Sequence, residues 1–157
     1  MTMPRHRRLR ADRLVLFPRL SRRNHTVTSN ETDEYNCVAW AAGDDENWWW
    51  PLPDYYWPSG IPRESTLSAF AQAYQTLGYE VCVDDSIEQG FEKIAIYALP
   101  DTPPTPTHVA RQLPNGRWTS KLGSWEDIEH REPGSLEGIT HQYAYGYAQT
   151  FMRRTRR

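Results

Sequence analysis

Two side-chain types in this chain could carry covalent chemistry, a thiol and an imidazole. Only Cys37 and Cys82 offer a thiol. Cys37 stands in Asn36-Cys37-Val38-Ala39-Trp40-Ala41-Ala42, which runs into Gly43. Asn in front, Ala-rich content and Gly behind predict a short helix that Asn36 caps. A thiol at the first position of a helix meets unpaired N–H groups and the positive dipole end, which favour the nucleophilic thiolate. Cys82, inside the apolar run Val81-Cys82-Val83, reads as an inert core thiol. A thiol nucleophile needs a base to take its proton and return it to the leaving group. Of the five histidines, His6 and His25 fall in or beside a basic arm, and His130 and His141 lie among charged and turn residues. His108 opens a strand directly after the rigid segment Pro100–Pro106, so it is the expected base.

The base in turn needs a group to accept its other ring N–H. Pro114-Asn115-Gly116 suits a type I turn closed by a Gly bulge, because Pro presets φ and Gly takes the left-handed position. That register pairs Leu113 with Arg117, sets His108 opposite Leu122, and puts Ser120 diagonally on His108's face. A two-residue turn would bring Lys121 there instead, and Asp127 is a third option. For the oxyanion, the backbone N–H of Cys37 and the amide of Asn36 are the natural donors, unless Asn36 is a cap alone. Trp48, Trp49, Trp50, Tyr55, Tyr56 and Trp57 could wall a substrate groove or lid the core. His130 beside Asp127 and Glu129 lacks a second cluster to complete a coordination sphere, so no metal is expected and no cofactor is implied.

The elements that must position these groups follow from pattern. Leu67, Phe70, Ala71, Tyr74 and Leu77 recur at helical spacing between Ser65 and Gly78. Tyr79–Val83 and Lys93–Leu99 read as strands, and Thr107–Leu113 and Arg117–Leu122 as a hairpin. Ser124 is expected to cap a short helix through Ile128, and Tyr143–Phe151 to form a last strand. With three prolines, the segment 48–58 must be irregular. The predicted class is α+β, a catalytic helix packed on an antiparallel β-sheet.

The order of helix-start Cys, strands, strand-start His and a further strand bearing a polar residue resembles the papain-like cysteine hydrolase superfamily, in particular its NlpC/P60-like and amidase-like branches. Tyr35-Asn36-Cys37-Val38-Ala39-Trp40-Ala41, the Trp-Trp-Pro and Tyr-Trp-Pro loop, Phe91–Tyr97, Thr107-His108-Val109-Ala110-Arg111-Gln112-Leu113 and Trp118-Thr119-Ser120-Lys121-Leu122-Gly123 are also similar to a bacterial family of uncharacterised domains, over about residues 26–152. The superfamily resemblance implies a papain-like fold and a thiolate–imidazole pair acting through an acyl-enzyme on amides, peptides or esters. The Gly-Ser-Cys-Trp of papain proteases and the Asp-Cys-Ser of NlpC/P60 enzymes are absent, so neither specificity is implied.

Charge is segregated. The 157 residues carry 18 basic and 20 acidic side chains, and 12 of the basic ones are arginines in segments 1–23 and 153–157. The expected organisation is a basic arm over 1–25, a catalytic domain over 26–152 and a basic tail over 153–157. The ends are either solvated or contact an acidic or nucleic-acid partner, Arg5, Arg7, Arg8 and Arg10 foremost. Two cysteines outside any CxxC pair exclude a disulfide scaffold and imply a reducing compartment. Lacking a signal h-region or an 18-residue apolar run, the chain is expected to be cytoplasmic and to engage no membrane. The competing reading is a non-catalytic binding or immunity-type module, using the aromatic loop and Arg-rich ends on a protein or nucleic acid.

Overall fold

A computed structural model of the chain describes residues 7–157. The elements in chain order are α1 (Ala11–Leu14), β1 (His25–Ser29), α2 (Cys37–Ala41), α3 (Leu67–Gln75), β2 (Glu80–Cys82), β3 (Phe91–Leu99), β4 (Thr105–Gln112), β5 (Trp118–Lys121), β6 (Asp127–His130), a 3-10 turn (Pro133–Leu136) and β7 (Tyr147–Thr155). All seven strands join one antiparallel sheet in the order β1-β6-β5-β4-β3-β7-β2. The class is therefore mostly β, and this overturns the expected papain-like α+β arrangement. Two strands do what the sequence pattern missed. Segment 124–128 is no helix: Gly123, at φ +61°, turns the chain, the Leu122 amide bonds the Glu126 carbonyl at 3.0 Å, and β6 pairs back along β5. Then β1 extends the sheet by pairing His25–Ser29 with β6.

Alternation along the strands sorts the core into two faces. Ile94, Ile96, Val109 and Met152 face α2, α3 and the aromatic segment. Ala95, Tyr97, Ala110, Trp118 and Ile128 face the other way, onto Leu9, Phe17, Leu20 and Leu136. The expected N-terminal arm is thus a second cover for the sheet over its described part. Its apolar residues are spaced among arginines whose charge hides them, and each buried one contributes about 2 kcal/mol. The tail expected at 153 is the end of β7, where Arg153 pairs with Glu80 and Glu88, and Arg154 and Arg156 with Glu92. Among the described residues no helix is long and apolar enough to cross a membrane.

Between the 3-10 turn and β7 the chain closes a loop at its neck, where Gly138 and Gly146 exchange two backbone bonds of 2.9 Å. Gly146 has φ +74°, and a Cβ there would overlap the Ala98 carbonyl. Gly146→Ala should therefore cost about 3 kcal/mol, from the left-handed backbone and the overlap together. Denaturant unfolding of the variant checks this, and an unchanged midpoint would contradict it.

Candidate active site

α2 is short because its signals are local. Asn36 caps it with Oδ1, accepting from the amides of Ala39 and Trp49, each at 3.1 Å, while its Nδ2 donates to the Trp49 carbonyl at 2.7 Å. Those bonds make Asn36 a cap that ties α2 to the aromatic loop, the reading set beside the oxyanion role. The Tyr74 hydroxyl donates to the Val38 carbonyl at 2.7 Å and pins the helix to α3. Cys37 occupies the first helical position, as expected, but only 5% of it is exposed. Burial pushes its thiol up to about 11, against the opposing pull of the Val109 and Val38 backbone N–H groups, the Lys121 ammonium and its own N–H. The expected resting thiolate is therefore replaced by a neutral thiol. A five-residue helix supplies too little field to offset desolvation.

The imidazole is placed by the hairpin. Leu113 bonds Arg117 across the turn and Gly116 sits at φ +86°, the bulged three-residue turn. In that register Ser120 shares a face with His108, and its Oγ lies 3.0 Å from His108 Nε2. On its other side Ser120 Oγ is 2.8 Å from His130 Nε2, and His130 Nδ1 is 2.9 Å from the Glu132 carbonyl. The ring of Tyr145 stacks on His108 with centroids 4.1 Å apart and planes 8° from parallel, and Tyr97 meets it edge-on at 5.1 Å. His108 is fully buried, and burial together with neighbouring His130 holds its pKa well below the ordinary value. Its Nδ1 has no hydrogen-bond partner among the described residues.

Thiol and imidazole come to one region from opposite faces of the sheet. Cys37 packs with Val109, whose amide points at the sulfur, whereas His108, one residue earlier, packs with Tyr97. No hydrogen bond joins them. Pairing of β4 with β5 stops at Arg111–Thr119, so His108–Ala110, paired with β3 on one edge, are unpaired on the edge toward β5, and the two strands are linked there by the His108–Ser120 side-chain bond. Tyr145 stacks on His108 and lies within electrostatic reach of Cys37, marking the same gap. Lys121 is on the thiol's face, not the imidazole's. It lies over the Tyr35 ring at 5.1 Å and bonds the carbonyls of Thr32 and Gly123. Asp127 is also on that face, taking bonds from Tyr35 and Ser29, so it is no orienter of His108.

A cavity of about 530 Å³ opens beside this gap. Phe17, Trp50, Leu99, Leu122, Trp125 and Tyr145 wall it, and no charged side chain does. Thr107 and Leu122 line it and are the chain neighbours of His108 and Lys121. Of the six aromatic residues expected to form a groove, Trp50 alone lines this cavity. Trp49 and Trp57 are buried, donating to Asp44 and to the Pro62 carbonyl, and Tyr55 and Tyr56 are a little under half exposed beside Trp48 and Trp49. They lid the core. Among the described residues, no three of His, Cys, Asp and Glu gather where they could hold a metal ion.

Of the arginines expected to reach a partner, Arg5 lies outside the described residues. Arg7 bonds Asn30, Arg8 the Arg22 carbonyl and Arg10 Asp12, while Arg13 pairs with buried Glu126. Sequence reasoning passed over His130 and Tyr145. The signal for His130 was its two-residue spacing from Ile128, which makes sense once β6 is a strand opposite Trp118 and Ser120. Residues 26–153 match the family model described as Domain of unknown function (DUF7689). No curated protein and no solved structure matches the chain.

Proposed function

We propose that this chain, which belongs to the DUF7689 family, is a cysteine-dependent hydrolase or acyltransferase in which Cys37 is the nucleophile and His108 the base. The observation that carries the reading is the buried Nδ1, without a partner among the described residues, of an imidazole whose Nε2 is held by Ser120, one residue along β4 from the Val109 amide on which the thiol is seated. An unpaired polar atom in a core costs about 1–3 kcal/mol, a cost that function explains. Because the resting thiol is neutral, reaction begins as a neutral pair. Sulfur attacks the carbonyl carbon of an amide or ester while its proton passes to Nδ1, and the backbone N–H of Cys37 meets the developing oxyanion. The C–N or C–O bond then breaks, the leaving group takes the proton from Nδ1, and water or another acceptor releases the acyl group from sulfur. The transfer requires thiol and imidazole to close to hydrogen-bond distance in the substrate complex, and the stretch where β4 leaves β5 is where they would meet.

The uncharged, aromatic-walled cavity suits an apolar acyl group. Wild type should therefore hydrolyse p-nitrophenyl esters of uncharged aromatic acids faster than those of charged acids. Cys37→Ala should abolish that turnover, and equal rates for the two proteins would reject the reading. Burial of Cys37 favours a second reading, a binding domain that takes an apolar ligand in the same cavity without chemistry. Quenching of Trp fluorescence by such an ester, with no turnover, would select it.

A further inference from the structure

We infer that His130 is a positioning residue that sets the proton on His108, acting through Ser120. The inference rests on the reading of His108 as base and follows from counting donors along the chain of bonds. The Glu132 carbonyl can only accept, so His130 Nδ1, 2.9 Å away, must carry a hydrogen. His130 is neutral near pH 7, since burial lowers its pKa to about 4, so its Nε2 carries a lone pair. Ser120 has one hydroxyl hydrogen, and it goes to that lone pair across 2.8 Å. The Ser120 oxygen is then left as an acceptor, and His108 Nε2, 3.0 Å away, must donate to it. Neutral His108 has one ring hydrogen, now placed on Nε2. Its Nδ1 therefore carries the lone pair, and this is the atom without a partner among the described residues.

One backbone carbonyl thus decides the tautomer of a base two side chains away, a task that a carboxylate performs in other nucleophile–base sites. A neutral relay suits a neutral thiol: it orients the acceptor nitrogen without placing a buried charge beside it. Tyr145 and Tyr97 hold the ring in place while the relay sets its proton.

Nitrogen-15 NMR of the imidazoles in the full chain tests this without a variant. His108 should appear as the Nε2–H tautomer and His130 as the Nδ1–H tautomer. A His108 proton on Nδ1 would overturn the inference while leaving Cys37-dependent turnover, and with it the hydrolase reading, in place. Conversely, the expected tautomers without any Cys37-dependent turnover would remove the base that the relay serves, and would overturn both. His130→Phe, or Ser120→Ala if the first does not fold, should mix the His108 tautomers and lower kcat by about tenfold at unchanged KM. Mixed tautomers with unchanged kcat would also overturn it.

Discussion

His108→Gln should lower turnover by about 10³-fold at pH 7, within the range that a positioned general base supplies. Gln keeps a donor for Ser120 and similar bulk, so the loss isolates the lone pair at Nδ1. The variant's remaining activity should depend on spontaneous ionisation of Cys37. With burial pushing the thiol up to about 11, only about 10⁻⁴ of it is thiolate at pH 7. Turnover of His108→Gln should thus rise about tenfold per pH unit between 7 and 10, whereas wild type should change little there. Parallel pH profiles for the two proteins would show that His108 takes no proton from the thiol.

The second large effect is on stability in acid. His130 is neutral in the fold, its pKa lowered by burial to about 4 despite the Glu132 carbonyl, with Arg117 and His25 lowering it further. In the unfolded chain it titrates near 6.5. The unfolded state therefore binds the extra proton first. Stability is full above about pH 6.5 and is lost as pH falls toward 4, by about 3 kcal/mol for this residue alone. His108, shifted in the same direction, steepens the loss. Urea midpoints measured from pH 7.5 to 4.5 should fall accordingly, and His130→Phe should flatten the curve. A wild-type midpoint constant across that range would contradict the neutral, buried pair.

What the sequence made legible was local. The Asn36 cap, the Gly43 stop and the Pro114-Asn115-Gly116 turn each depend on a few adjacent residues. The turn carried the register out to the Ser120–His108 bond. What it left hidden depends on distant partners. β1 and β6 pair residues about a hundred positions apart, and the charges around Leu9, Phe17 and Leu20 conceal a segment that covers one face of the sheet. The same dependence explains Cys37 and His108. A helix-start Cys and a His behind a Pro-rich segment are recognisable one at a time, but β4 begins at Thr105 and puts His108 mid-strand, and which face of the sheet each meets follows from strand pairing. Burial, too, is a property of the assembled core, and it reverses the thiolate expected from the helix start.

The central claim is acyl transfer through Cys37, and the acyl-enzyme itself is its most direct record. Wild type mixed with a p-nitrophenyl ester of an uncharged aromatic acid and quenched in acid within the first turnover should gain the mass of one acyl group. Peptide mapping should place it on Cys37 and not on Cys82, and His108→Gln should show almost none under the same conditions. An unmodified Cys37 in a protein that nevertheless cleaves the ester, or equal acylation of Cys82, would contradict the account.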